Sequence, residues 1–207
     1  MARRKNQQAR RDEFMAATRR VIVRDGLSAV TVRTIAAEAG LSTGLVSYYF
    51  PDIDELYQTV YGDAVDRFAT RRRRTVDAIT DPRERLVAMI RSGLPVDPDD
   101  ELCILLYEFS ALVRRNPMVQ VLRRSLYERQ VSIYESILDV GQGLGVFTLA
   151  QPSTATARSM VSLEDAFGYH AVARVSVSLQ DAQDHLLGYA TIATGCRLAA
   201  VAGTGPG

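Results

Sequence analysis

Residues 31–50 read TVRTIAAEAG LSTGLVSYYF, and Pro51 follows. Val32, Ile35, Ala36 and Ala39 recur at the spacing of one helix face, so a helix starts behind Thr31 as N-cap and stops at Gly40. Ser42 caps a second short helix, with Leu45 and Val46 inward and Phe50 closing the bundle. In the linking turn, Ala39-Gly40-Leu41-Ser42, glycine takes a positive φ without strain and Leu41 is expected to plug the space between the helices. Two helices joined by so short a glycine-containing turn form a helix-turn-helix, whose second helix enters the major groove of DNA. Short side chains at Ser42, Thr43, Gly44 and Ser47 let that helix approach base edges, while Tyr48 and Tyr49 carry hydroxyl tips suited to phosphate oxygens. Arg33, in the first turn of the preceding helix, can reach a guanine edge or a backbone oxygen. Free N–H groups behind Thr31 and Asp52 can each receive a phosphate.

Upstream, Phe14, Ala17, Thr18, Val21 and Ile22 form the apolar stripe of a helix over residues 11–24, ended by Asp25-Gly26. Downstream, Pro51 blocks continuation, and Asp52 with Glu55 three residues on resembles a capping box opening a fourth helix past Leu56 and Val60. Asp81-Pro82-Arg83-Glu84 predicts another helix start, and Asp97-Pro98 repeats the device. The helix after it presents Leu102, Leu105, Leu106, Phe109, Leu112 and Val113 before Asn116-Pro117 stops it. From Pro117 a longer one carries Met118, Val121, Leu122, Leu126, Ile133, Ile137 and Val140, until GQGLG at 141–145 breaks it. Helices over 153–174 and 179–200 complete an all-α chain without repeats or a convincing period-2 segment. The expected domains are an N-terminal arm and helix-turn-helix over 1–58, a helical body over 59–202, and a disordered tail over 203–207.

TVRTIAAEAGLSTGLVSYYFPDIDEL, residues 31–56, resembles the DNA-binding signature of the TetR (tetracycline-repressor-like) family of bacterial transcription regulators in order and spacing. With Phe14 and the Gly26-Leu27 exit included, the resemblance covers about residues 10–60. It implies that Thr31 caps and contacts phosphate, that Arg33 and Thr34 face DNA, and that Ser42, Thr43 and Gly44 begin the recognition helix. Tyr48 and Tyr49 match aromatic positions that touch backbone. Two positions depart: Ser47 stands where the family often has tyrosine, and Ile53 where it usually has a phosphate-gripping lysine. Arg3, Arg4, Arg10 and Arg11 of the basic arm are the candidates to replace that lost cation.

The 207 residues carry a net charge of +1, which conceals an asymmetry: nine Lys/Arg face four Asp/Glu in residues 1–50, and the remainder is acidic. A basic head suits double-stranded DNA, although an anionic membrane would attract it too. No stretch reaches the roughly 20 apolar residues of a membrane span, and no export signal is evident, so a cytoplasmic protein is expected. Cys103 and Cys196 read as buried reduced thiols. Two histidines, with no GxSxG, phosphate loop or HExxH, leave no basis for an enzyme, a cofactor or a metal site.

The family resemblance also implies a homodimer through the last two helices, 153–174 and 179–200, where Gly188, Ala190, Ala193, Thr194 and Gly195 are small enough for close approach. The middle helices are then expected to enclose a small-molecule effector, and the candidates are Leu105, Phe109, Met118, Tyr127, Tyr134, Met160 and Phe167. Glu164 falls in an apolar stripe with Asp165 at its edge. Two readings stay open for it: a carboxylate for a cationic effector, or an ion pair with one of the arginines; His170 fits either. Arg71-Arg72-Arg73-Arg74 spreads around a helix and reads as solvated surface. The function expected is a ligand-responsive DNA-binding regulator, most naturally a repressor. The alternative is a protein of the same fold that works without a ligand.

Overall fold

The computed structural model describes residues 2–198, with side chains from residue 7 onward. Arg3 and Arg4 of the arm, and the expected tail, lie outside the described side chains. Helices α1 (Ala2–Asp25), α2 (Val32–Ala39), α3 (Thr43–Tyr49), α4 (Ile53–Asp77), α5 (Pro82–Gly93), α6 (Glu101–Glu108), α7 (Pro117–Gly143), α8 (Ser153–Val172) and α9 (Leu179–Thr194) follow in order, and no strand occurs among the described residues. The fold is all-α. Two compact units form: one takes the chain up to Asp66 together with Glu101–Arg124, the other Arg67–Asp100 and the chain from Ser125 on.

In the first unit the expected stripe of α1 is buried: Phe14, Ala17, Thr18 and Val21 are fully inaccessible. Thr18 donates its hydroxyl to the Phe14 carbonyl, so its polar atom costs nothing inside. The helix itself starts well before residue 11. Tyr61 and Phe109 pack ring to ring at 4.8 Å, with Tyr57 edge-on to Phe109 at 6.0 Å. Glu108 accepts from the Leu27 N–H at 2.8 Å, which ties the exit of α1 to α6. The expected capping box at Asp52 is absent; Asp52 accepts from the Asp54 N–H instead, and Glu55 turns to Arg11. Asp97-Pro98 makes a turn, Asp97 accepting from the Asp99 N–H, and α6 begins only at Glu101. The face read through Leu112 and Val113 also ends early, because the chain tightens into a 3-10 turn at Phe109–Leu112.

The second unit is built around Leu86, Met89, Ile90, Tyr134, Ile137, Leu138, Ala157, Met160 and Leu186, all fully or almost fully buried. Asp81 caps α5 as expected, accepting from the Arg83 and Glu84 N–H groups. Met118, Val121 and Val140 are exposed instead of inward. Over 27 residues the 3.6-residue period rotates the buried face away from any fixed column of positions. Gly141 lies against Phe147: a Cβ there would sit 2.1 Å from the ring, so only glycine lets the loop fold back. Gly195 adopts φ 61° and ends α9, well short of residue 200. Neither Cys103 nor Cys196 forms a disulfide, and both are buried.

Candidate nucleic-acid interface

The helix-turn-helix is assembled by local chemistry. Thr31 accepts from the Thr34 N–H while Thr34 accepts from the Thr31 N–H, a reciprocal capping box. Thr34 also donates to the Ala29 carbonyl, so its hydroxyl serves the cap. Gly40 closes α2 at φ 66°, and the Leu41 N–H reaches back to the Ala36 carbonyl at 2.9 Å. Leu41 is half-buried rather than a full plug. Ser42 caps α3 through the Leu45 N–H. Val46 and Phe50 anchor the helix in the core, which leaves Thr43, Gly44, Ser47 and Tyr48 on the outside. A Cβ on Gly44 would meet nothing within 4 Å.

Tyr48 is 67% exposed and lies edge-on to Tyr49 at 5.2 Å. Tyr49 is half-buried against Phe14, so the pair divides into one free ring and one supporting ring. Arg33 is exposed on α2 and makes no hydrogen bond or ion pair among the described residues. Arg10 is engaged by Glu13 at 2.6 Å. Arg11, named in the sequence only as part of the arm, sits 4.2 Å from the centre of the Phe50 ring. It donates to the Tyr49 carbonyl at 3.0 Å and to Glu55 at 2.8 Å, so a cation satisfies the C-terminal end of α3. Nothing in the sequence links positions so far apart. Glu38 likewise receives Arg20 and Arg24 from α1, and these bonds, Arg20's first, hold its carboxyl below the ordinary range.

Residues 14–60 match the family model described as bacterial regulatory proteins, tetR family. Over those residues the chain carries a DNA-binding domain of the TetR type. Curated relatives include the HTH-type transcriptional regulator BetI of Paraburkholderia phymatum, 36% identical over 90 residues covering 43% of this chain and 46% of that protein. The BetI of Burkholderia cenocepacia is 38% identical over 85 residues, 41% and 44% of the two chains. The match therefore spans less than half the length of these relatives. Among solved structures, a TetR transcription regulator from Haloarcula marismortui superposes with TM-score 0.80 at 25% identity, covering 90% of this chain and 99% of that one. A transcriptional regulator from Saccharomonospora viridis, solved in complex with choline, gives 0.81 at 23% identity, over 88% and 95%.

The residues expected around an effector divide between the two units. Leu105 and Phe109 are core of the first unit. In the second, Tyr134 and Met160 are core, Tyr127 and Asp165 are half-buried, and Phe167 stacks on His185 at 5.3 Å. Glu164, 2% exposed, forks onto Arg72 with two bonds of 2.8 Å and accepts from the Tyr134 hydroxyl. Burial pushes the Glu164 carboxyl upward, against the pull of Arg72. The ion-pair reading of Glu164 thus holds. The solvated reading of the arginine run fails at Arg72, which is fully buried, donates also to Gln130 and the Met89 carbonyl, and lies over the Phe68 and Tyr134 rings at 5.6 and 5.5 Å. One position in four along a helix can face inward, and a buried acid repays it. Gly93 makes room: a Cβ there would lie 2.2 Å from the Glu164 carboxylate. His170 is exposed and takes no part.

Among the described residues no group of three His, Cys, Asp or Glu could hold a metal ion, and no helix is long and apolar enough to cross a membrane.

Proposed function

We propose that this cytoplasmic regulator binds a palindromic operator as a homodimer, represses transcription there, and is released by a small-molecule effector. The observation that carries the reading is α3, capped at Ser42 and anchored by Val46 and Phe50, with Thr43, Gly44, Ser47 and Tyr48 left outward. In this scheme Ser42, Thr43, Gly44 and Ser47 meet base edges, and Tyr48 reaches phosphate with Tyr49 bracing it. Thr31 offers the N-terminal N–H groups of α2 to a second phosphate, and Arg33 reads a base edge or adds a backbone contact. Arg10 supplies charge from the arm, and Thr34 contributes through the cap.

A responsive body is supported by the choline held in the Saccharomonospora viridis structure. Helix α4 gives its first part to one unit and the rest to the other, which suits it to carry an effector's signal to the reading head. Sequencing genomic DNA retained by the purified protein will give the operator. Arg33→Ala and Tyr48→Ala should each weaken operator binding, measured by fluorescence anisotropy, with the oligomeric state unchanged. Normal binding by both would mean that the head has been assigned wrongly.

A further inference from the structure

Within the second unit, α4 and α7 border an open cleft of about 610 Å³, a size that holds a small organic ligand. Thr70, Arg73 and Arg74 line it from α4 at the i, i+3, i+4 spacing of one helix face, and Arg129, Ser132 and Ile133 repeat that spacing on α7. Ala69 and Ile133 are buried and form the floor. The three arginines and both hydroxyl residues are exposed, so their polar groups are open to a ligand.

The two walls are fixed from beneath. Arg72 donates to Gln130 of α7 and lies over the Tyr134 ring at 5.5 Å. Arg73 follows Arg72 and Arg129 precedes Gln130, so buried bonds hold the helices together one residue away from a cation on each wall. A ligand there meets a surface that is already in place. Arg73 and Arg74 make no hydrogen bond or ion pair among the described residues. Glu128 is the acid on the lining, and the cations outnumber it three to one. Arg74 lies in the last turn of α4, where a cation suits the negative end of the helix, but that account does not reach across the cleft to Arg129 in the middle of α7. Guanidinium groups take phosphate oxygens in forked pairs. A lone phosphate or carboxylate would leave part of this charge unmatched, whereas a chain of phosphates can run from one wall to the other.

We propose that this cleft binds a linear oligophosphate, its phosphates running from Arg73 and Arg74 to Arg129 with Thr70 and Ser132 donating to their oxygens. The site goes beyond the repressor reading, and its binding is read without DNA, so the failure of one does not entail the failure of the other.

The test is calorimetric titration of the full-length protein, in metal-free buffer, with ATP, tripolyphosphate, inorganic phosphate and adenosine. ATP and tripolyphosphate should bind, inorganic phosphate at least roughly tenfold more weakly, and adenosine not at all. Arg73→Gln and Arg129→Gln, on opposite walls, should each weaken ATP binding roughly tenfold with the melting temperature unchanged. Ser132→Trp fills the cleft without removing a cation and should abolish binding. Arg158→Gln removes the same charge from an exposed position on α8 that is not on the lining, and should bind as the parent does. Absence of binding by both oligophosphates, or an equal loss in Arg158→Gln, overturns the site and returns these arginines to solvated surface. Tighter binding of ATP than of tripolyphosphate identifies a nucleotide as the source of the phosphates; equal affinity identifies inorganic polyphosphate. If Arg73→Gln lowers operator affinity while neither oligophosphate binds, the cleft is a DNA contact and the proposal falls.

Discussion

Gly44 and Arg72 show how single positions divide between function and stability. Gly44 lies in a helix with open space where a Cβ would be, so nothing inside the protein requires glycine there. Gly44→Ala should stabilise the fold by about 0.5–1 kcal/mol, seen as a raised melting temperature. If α3 enters a groove at that point, the same variant loses operator affinity. A variant more stable but as tight as the parent would show that α3 does not approach DNA there. Arg72 is the opposite case. Arg72→Ala leaves Glu164 buried without its cation and should cost about 3–5 kcal/mol in chemical denaturation. Glu164→Gln, which keeps size and some hydrogen bonding, should cost less. An Arg72→Ala protein as stable as the parent would refute the buried pair as a structural support.

Elements were legible in the sequence wherever their signals are local. The Thr31 and Ser42 caps, the Gly40 turn, Asp81-Pro82 and the stripe of α1 each lie within a few residues of what they control. The failures have one physical cause: the deciding partner is distant along the chain. Arg11 reads as an arm arginine until Phe50, the Tyr49 carbonyl and Glu55 are brought to it. Arg72 reads as surface until Glu164 arrives from α8. The small residues of α9 read as one interface, yet Ala190, Ala193 and Thr194 are buried within their own unit, and Gly195 is a cap. The Arg11 contacts make a prediction about α3 as an element. Arg11→Ala removes the group that satisfies the helix's C-terminal end and steadies the tyrosines, so operator affinity should fall several-fold while α1 stays folded. Arg11→Lys keeps the charge without the planar guanidinium over Phe50, and should recover part of the loss. Unchanged affinity in Arg11→Ala would assign the clamp to stability alone, a distinction that circular dichroism melting reads directly.

For the whole molecule, the proposed operator binding requires two reading heads to act together. One recognition helix covers only a few base pairs, so a palindromic operator calls for a two-fold assembly whose contact surface is the same patch on both copies. With Ala190, Ala193 and Thr194 turned into the chain's own core, the outward face of α9 is defined by other positions. Ile192 is 78% exposed, and Gly188, one turn earlier, has open space beyond its Cα. A large apolar side chain beside a glycine allows close backbone approach, and on a two-fold axis such a pair meets its own image. Ile192→Glu would bring two like charges together there. The expected outcome is a folded monomer by sedimentation, with helical content unchanged, since most of the side chain is exposed within its own chain. Affinity for a full operator should drop steeply while affinity for an isolated half-site stays near the parental value. A dimer that survives Ile192→Glu would move the interface off this face of α9 and leave the reading of α3 untouched.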